Sequence, residues 1–285
     1  MTIKLIADST CDLPEDVLQR HNIRIVPLSI SVGDRFRKDG VEITPQDIFE
    51  YVEQGGELCR TSAVNVAEYL QVYEEECPKY DAVLHFFISA DMSSCYQNAR
   101  VAAEEFDNIY LIDTRNLSSA MGLLVLDAAE LAAAGTPAED IYHEMLNRIQ
   151  RLDASFILDT LAYLHKGGRC SSIAALASGL LKIKPSILVT DGHMHVGQKY
   201  RGRLDSVLPK YIKDRLGSGQ QIDPRRIIIA HTFTEENLGL VETVKAYVAE
   251  IIALDEIYVT TAGGTISCHC GPNTLGLFFM RKPVE

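Results

Sequence analysis

The chain of 285 residues is long enough for two domains of ordinary size. Its hydrophobic fraction of 47% and charged fraction of 23% are typical of a globular protein. The formal net charge of -12 argues against a nucleic-acid-binding surface, which would normally show a basic stripe, and disfavours attachment to anionic membranes. No apolar run approaches the roughly 20 residues that span a bilayer, so we expect no stable membrane insertion.

The N-terminus leads directly into a strand-like run and has no signal-peptide pattern. Seven cysteines, an odd number, are scattered along the chain. Cys268 and Cys270 have the wrong spacing for a zinc knuckle, and no second Cys or His pair completes one. We therefore expect reduced thiols, a cytoplasmic location and no metal site.

The first half of the chain alternates short apolar runs with longer amphipathic segments. The apolar runs predict strands over residues 3–7, 23–30, 82–88 and 109–112. The amphipathic segments predict helices over residues 44–54, 66–76, 94–106, 119–134 and 137–152. Strands separated by helices imply βαβ units, so this half should form an α/β/α domain with a mainly parallel sheet covered on both faces.

The pattern changes near residues 152–154. Strands are predicted over residues 155–158, 186–190, 227–231 and 257–261, with helices near 172–181 and over 235–251. Asp191 and Gly192 separate two strand-like runs, which is typical of a two-residue hairpin. We therefore predict an N-terminal α/β domain over residues 1–153 and a C-terminal α+β domain over residues 154–285.

Four polar loops end predicted strands or begin predicted helices, and ligands of open α/β sheets bind beyond the carboxyl ends of the strands. The first loop, residues 8–14, fits a helix cap at least as well as a ligand contact. The second, residues 60–65, places Thr61 and Ser62 before a helix. Small hydroxyls beside free backbone N–H groups suit an anion, but a plain helix cap explains this loop equally well.

The third loop, residues 88–97, begins another predicted helix, because Ser94 and Gln97 have capping-box spacing. Ser93 then lies at the N-terminal end of that helix, where it can donate a hydrogen bond to a carboxylate. Asp91 would repel an anion unless its side chain points away.

The fourth loop, residues 268–276, holds His269 before a Gly-Pro pair, although a lone histidine is more often structural or solvated. With Ser93 it would form a nucleophile and a base, but the G-x-S-x-G elbow of serine hydrolases is absent.

The Gly-Gly-Arg turn at residues 167–169 offers a guanidinium to a carboxylate, a phosphate or an acidic partner. Walker and dinucleotide-binding motifs are absent. The residues alone thus indicate an α/β ligand-binding protein with a hydroxyl-rich anion site.

The order of these motifs resembles the DegV family, the fatty-acid-binding subunits of bacterial fatty acid kinase. The longest similar segment, LDTLAYLHKGGR at residues 158–169, follows the family's motif almost letter for letter. Shorter similar segments occur in the family's order: DSTCDLP at 8–14, TS at 61–62, SADMSSCY at 89–96, KP at 184–185 and HCGP at 269–272. These segments are spread along nearly the whole chain; each alone is weak, but all of them together, in the family's order, are specific.

The resemblance implies a DegV-like fold with a long-chain fatty acid held between and within the two domains. Arg169 and Ser94 would lie near the ligand carboxylate or contact a kinase. Four residues, carried over by position, would surround that carboxylate: Thr61, Ser62, Ser93 and His269.

The resemblance also implies a non-catalytic subunit with no cofactor besides the bound fatty acid. A separate, DAK-type fatty acid kinase subunit would supply ATP and its metal, and the product would be an acyl phosphate. Two rival functions stay open. One is a Ser/His hydrolase of lipid or acyl esters, and the other is a lipid carrier or regulator without a kinase partner.

The sequence departs from the family pattern in three places, which affects the expected carboxylate geometry more than the fold. Ala63 and Val64 replace Gln-Pro, Asp91 and Ser94 replace small residues around the serine, and Asn273 stands where glycine is usual. The segments 171–179 and 123–131 are candidates for lining an acyl tunnel, with ordinary core as the alternative.

Overall fold

The computed structural model describes residues 1–173 and 183–283. The described strands are β1 (Ile3–Asp8), β2 (Ile23–Val26), β3 (Ser29–Val32), β4 (Arg35–Lys38), β5 (Arg60–Ser62), β6 (Ala82–Phe87), β7 (Ile109–Asp113), β8 (Leu152–Ile157), β9 (Ile183–Thr190), β10 (His193–Arg201), β11 (Ile222–His231), β12 (Glu256–Thr261) and β13 (Leu275–Arg281). The described α-helices are α1 (Glu15–Arg20), α2 (Pro45–Glu53), α3 (Val66–Glu76), α4 (Cys95–Ala103), α5 (Ser119–Ala133), α6 (Ala138–Ile149), α7 (Ala162–Gly167), α8 (Leu204–Leu216), α9 (Leu240–Ile251) and α10 (Gly264–Cys270).

The first sheet is parallel throughout, with the strand order β2-β1-β6-β7. Every residue of β6 is buried, because helices cover both faces of the sheet. Leu84 and Phe86 pack into the core on the side of α5, whereas Val83 and Phe87 pack into the core with α3 and α4. The predicted parallel α/β architecture of this half is therefore confirmed.

The second sheet is mixed, with the strand order β10-β9-β8-β13-β11-β12. β13 runs antiparallel to both β8 and β11, while β11 and β12 are parallel. The predicted hairpin joins β9 to β10 through Asp191 and Gly192, which both have positive φ, as a type I′ turn requires. This sheet with its own helices confirms the predicted α+β class of the second half.

Helix α5 lies between the two large sheets and contacts β1 and β6 of the first and β8, β11 and β13 of the second. Residues 119–129 are all buried, which explains why the segment is apolar around its whole circumference. The buried carboxylate of Asp127 pairs with Arg148 of α6 and, at 3.1 Å, with Arg225 of β11. The apolar run 123–131 therefore lies in the core between the sheets, the alternative that the sequence left open, and none of its residues lines the two cavities described below.

A small third sheet has the antiparallel order β4-β3-β5. It corrects the prediction of one strand over residues 23–30, because that segment forms two strands in two different sheets. Pro27 interrupts the segment, since proline has no N–H to donate to a strand ladder. The N–H of Leu28 is instead bonded to Ser9 Oγ at 3.1 Å.

Several other element boundaries differ from the predictions. The helix predicted over 137–152 ends at Ile149, and β8 already begins at Leu152. The helix predicted over 235–251 is a short 3-10 turn followed by α9. Of the helix predicted near 172–181, the structure describes only a 3-10 turn at Ser171–Ile173, and residues 174–181 lie outside the described ranges. The sequence did not predict α1, α7, α8, α10, β4, β5 or β13.

Candidate ligand-binding site

Two adjoining cavities lie between the sheets and α10. The first, here called the outer cavity, is a narrow slot that encloses about 560 Å³ of unfilled space including its mouth. Its polar end is lined by Thr61, Ser62, Ser93, Arg169 and His269. Its remaining walls are mainly apolar and come from Leu28, Ala63, Ile88, Met92, Leu117, Phe156, Leu164, Met194, Thr265, Ile266 and Cys270.

The second cavity, here called the inner cavity, encloses about 270 Å³ of unfilled space. Its polar side chains are bonded within the protein: Thr232 donates to Gly271 O at 2.7 Å and Thr274 to Cys270 O at 3.0 Å. They therefore present mainly carbon atoms to the cavity. The two cavities share four lining residues, Leu117, Phe156, Ile266 and Cys270.

Thr61 and His269 meet at the polar end although 208 positions separate them in the chain. Thr61 lies on β5, His269 lies on α10, and Thr61 Oγ1 is 2.8 Å from His269 Nε2. The helix-cap interpretation of the 60–65 loop applies to a different residue, because Asn65 forms the capping box of α3 with Glu68. Thr61 and Ser62 are therefore not capping residues, and both line the outer cavity.

His269 is held as a neutral imidazole. Burial, and to a smaller extent the nearby charge of Arg169, lower the pKa of His269 to about 4. Its Nδ1 is buried without a hydrogen-bond partner among the described residues. The backbone of Gly167 packs against this ring so closely that a Cβ at position 167 would lie 2.3 Å from Nδ1. A side chain at position 167 is therefore incompatible with the observed place of His269.

Ser93 lies in the loop between β6 and α4, and its Oγ accepts a hydrogen bond from the N–H of Cys95 at 3.3 Å. The helix begins as predicted, but the predicted capping box of Ser94 and Gln97 is wrong. Ser94 has φ -80 and ψ 8, not the extended backbone of a capping residue, and its side chain makes no capping bond. Ser94 is exposed and does not line either cavity.

The carboxylate of Asp91 is directed away from the outer cavity. It accepts a hydrogen bond from Arg115 at 3.2 Å and lies 3.4 Å from His193 Nε2. Asn273, at another departure from the family pattern, has φ 60, a conformation that asparagine tolerates better than most residues. Its Oδ1 accepts hydrogen bonds from Thr234 and from Asn237. Asn273 thus replaces glycine without strain and fixes the neighbouring turn.

Two buried carboxylates from the first half of the chain hold the N-terminal end of α10. Asp12 accepts a hydrogen bond from Gly263 N at 2.8 Å. Asp39 accepts hydrogen bonds from Gly264 N at 2.8 Å and from Thr265 N at 3.0 Å. Burial raises the pKa of Asp12 to about 8. These contacts fix the helix that carries His269.

The first polar loop is structural, as the capping interpretation predicts. Asp8 caps the 3-10 turn at Ser9–Cys11 through Thr10 N at 2.9 Å and also accepts from Ile88 N at 2.8 Å. Burial raises the pKa of Asp8 to about 6. No residue of this loop lines the outer or the inner cavity.

The structure therefore brings together five of the six residues predicted for the site and leaves out Ser94. Arg169 is exposed at the mouth, and its Nη1 donates to Gly167 O at 2.8 Å. Three further lining residues beside His269 were not predicted from the sequence: Thr265, Ile266 and Cys270. Thr265 and Ile266 precede His269 by four and three residues, a helical spacing, but residues 262–267 were assigned to no element and residues 268–276 were predicted to be a loop.

The remaining sequence expectations concern metals, disulfides and membranes. Within residues 1–173 and 183–283, no three side chains among His, Cys, Asp and Glu are grouped so as to hold a metal ion. All seven cysteines are free thiols. No helix in these ranges is long and apolar enough to cross a bilayer.

Fold and site together define an α/β protein with a narrow apolar slot that opens at a polar mouth. The chain belongs to the DegV family, because the family model described as "Uncharacterised protein, DegV family" matches residues 2–282. A DegV domain-containing protein of Caldanaerobacter subterraneus is 30% identical over 283 residues, which cover 98% of this chain and 99% of the relative.

Two solved structures are similar over almost the full length of this chain. One, described as the fatty acid binding of a DegV family protein from Thermus thermophilus, has a TM-score of 0.90 and 29% identity and covers 99% of this chain and 100% of its own. The other, described as DegV, a fatty acid binding protein from Bacillus subtilis, has a TM-score of 0.85 and 28% identity with the same coverage.

Proposed function

We propose that this protein binds a long-chain fatty acid in the outer and inner cavities and presents the carboxylate to a separate ATP-dependent kinase, which forms an acyl phosphate. The observation that carries the proposal is a narrow apolar slot that ends at hydroxyl, imidazole and guanidinium groups. An amphipathic ligand with a long apolar chain and one anionic end matches this arrangement. The DegV structures from T. thermophilus and B. subtilis, described as fatty acid binding, support it.

The apolar walls would bind the chain of the fatty acid. Burial of each methylene group contributes about 0.8 kcal/mol. The inner cavity extends the slot and has almost no free polar groups, because Thr232 and Thr274 are bonded internally. A hydrocarbon chain can therefore enter it without breaking hydrogen bonds of the protein.

The polar end would bind the carboxylate. A buried carboxylate needs hydrogen-bond donors to offset its desolvation, and charged donors form the stronger bonds. Thr61, Ser62 and Ser93 offer hydroxyl donors, and Arg169 offers a positive charge at the mouth. His269 orients Thr61 through their hydrogen bond.

The site supports binding better than ester hydrolysis. His269 Nε2 is bonded to Thr61, and Ser93 Oγ is bonded to Cys95, so no hydrogen bond pairs Ser93 with His269. A hydrolase would need that pair to activate the serine. We therefore propose a subunit that binds and presents its ligand and leaves the chemistry to its partner.

Native mass spectrometry with added hexadecanoate tests the binding. We expect one fatty acid per chain, and we expect Thr61→Val to weaken binding about 3- to 10-fold, the effect of losing one hydrogen bond. Ser218→Ala, an exposed hydroxyl remote from both cavities, is the control and should bind as the wild type does. A wild-type protein that takes up no long-chain fatty acid would overturn the proposal.

The kinase step needs a separate test with a purified DAK-type kinase subunit, ATP and Mg²⁺. Acyl phosphate is trapped as the hydroxamate and divided by the amount of bound fatty acid. A variant that binds less fatty acid is then not mistaken for one from which the kinase phosphorylates the fatty acid less well. We expect product from the loaded wild type, and less product per bound fatty acid from Arg169→Glu. Loaded protein that yields no acyl phosphate would favour a lipid carrier without a kinase partner.

A further inference from the structure

One residue in the lining of the outer cavity carries a buried hydroxyl without a hydrogen-bond partner among the described residues. Thr265 of α10 is 3% exposed, and its Oγ1 has no hydrogen bond to any residue that the structure describes. Its backbone is fixed, because the N–H of Thr265 donates to Asp39. Buried polar groups in native proteins are nearly always hydrogen-bonded, so an orphan hydroxyl beside a binding cavity calls for a ligand atom to complete it.

The other buried hydroxyls of the two cavities do not share this property. Ser118 donates to Asp12, Thr232 to Gly271 O and Thr274 to Cys270 O. Among the buried hydroxyls of these linings, that of Thr265 is therefore the one without a hydrogen-bond partner within the described residues. A valine at this position would have nearly the same shape, so packing alone does not explain a hydroxyl here.

The position of Thr265 defines where the matching ligand atom would lie. Thr265 precedes His269 by four residues, so both lie on the same face of α10, roughly 6 Å apart along its axis. His269 marks the polar end, and the neighbouring lining residues Leu28 and Ile266 are apolar. A ligand oxygen beside Thr265 would therefore sit close to the carboxylate and not near the end of the chain.

We propose that the site takes hydroxylated long-chain fatty acids, and that Thr265 hydrogen-bonds a hydroxyl carried on one of the first carbon atoms after the carboxylate. This inference rests on the proposed fatty-acid function. It makes Thr265 a specificity-determining residue, because an unsubstituted chain leaves its hydroxyl without a partner.

The test measures the affinities of hexadecanoate and of both enantiomers of 3-hydroxyhexadecanoate by isothermal titration calorimetry. 16-Hydroxyhexadecanoate, with its hydroxyl at the far end, is the ligand control. Thr265→Val removes the hydroxyl and keeps the shape, whereas Thr265→Ser keeps the hydroxyl. We expect the wild type and Thr265→Ser to bind one 3-hydroxy enantiomer about 3- to 10-fold more tightly than hexadecanoate. We expect Thr265→Val to lose that preference and to bind hexadecanoate at least as well as the wild type.

Two results would overturn the inference and leave the proposed function standing. One is a wild type that binds hexadecanoate but binds neither enantiomer of 3-hydroxyhexadecanoate more tightly than hexadecanoate. The other is a 3-hydroxy preference that persists in Thr265→Val. A wild type that binds none of the four ligands would instead refute the proposed function itself.

Discussion

At the scale of single residues, the place of His269 depends on the missing side chain of Gly167. The turn at Gly167 comes within contact distance of the imidazole, so the glycine provides space and not backbone freedom. Gly168 is different, because it has φ +69 and ends α7 in the left-handed conformation. The two adjacent glycines of this motif therefore serve two different purposes.

Gly167→Ala tests this arrangement. The new Cβ would lie 2.3 Å from His269 Nδ1, so the imidazole must shift and its bond to Thr61 must lengthen. We expect hexadecanoate binding to weaken about 5- to 10-fold with little change in the melting temperature. Gly239→Ala is the control, because its Cβ would meet no atom within 4 Å. Equal affinities of the two variants would contradict this role of Gly167.

Asp12 should make the stability of the protein depend on pH. Its pKa rises from 3.8 in the unfolded chain to about 8 in the folded protein, so folding favours the protonated form. Its contribution to stability is therefore complete below pH 3.8 and is lost as the pH rises through about 8. Asp12→Asn has no such proton to lose.

The measurement is the melting temperature of both proteins between pH 5.5 and 8.5. We expect the wild type to lose at least about 3 °C more than Asp12→Asn across this range. His269, whose pKa is lowered to about 4, reduces stability as the pH falls below 6.5, but it is present in both proteins and its effect cancels in the comparison. Parallel curves for the two proteins would show that Asp12 is charged throughout.

At the scale of secondary-structure elements, α10 is a helix of seven residues that is too short to be stable alone. Asp39 holds its first turn from the other half of the chain. We expect Asp39→Ala to lower the free energy of unfolding by about 1–3 kcal/mol, because two buried N–H groups lose their acceptor. It should also weaken hexadecanoate binding, since His269 moves with the helix.

The control for Asp39→Ala is Asp47→Ala, which removes an exposed carboxylate from the capping box of α2. We expect that variant to lose about 0.5–1 kcal/mol of stability without any change in hexadecanoate affinity. Urea unfolding and calorimetric titration of both variants make the comparison. Unchanged ligand affinity in a folded Asp39→Ala protein would show that α10 keeps its place without this contact.

Elements with a regular apolar pattern were predictable from the sequence. Residues of the site were predictable only where they lie in a motif of the DegV family. The strands of the parallel sheet and α5 follow from continuous or periodic apolar residues. The division at Pro27 and the existence of α10 depend on partners far away in the chain, which no local pattern contains. Thr265 was missed for this reason, because its burial arises from α10 packing against the first half of the chain.

At the scale of the whole molecule, the two large sheets share one hydrophobic core. A single cluster of buried residues reaches from Leu5 in β1 to Met280 in β13, and α5 packs against both sheets. The division between residues 153 and 154 therefore stays a proposal about topology and not about independent folding units. Asp127 strengthens the junction through Arg148 and Arg225.

We therefore expect one cooperative unfolding transition for the whole chain. The protein has no tryptophan but 12 tyrosines, so urea unfolding is followed by tyrosine fluorescence and by far-ultraviolet circular dichroism. The two midpoints should coincide, and hexadecanoate at 100 times its Kd should add about 2.7 kcal/mol to the free energy of unfolding. Two separated transitions would show that the halves unfold independently.

The central place of β13 has a consequence for the order of events during translation. β13 is the last strand of the described chain, yet it lies between β8 and β11. Until residues 275–281 leave the ribosome, the strands made earlier form two fragments with unpaired edges, which invite aggregation. A nascent chain without β13 therefore lacks part of the wall of the inner cavity, and capture of the proposed fatty acid has to follow the pairing of β13 with β8 and β11.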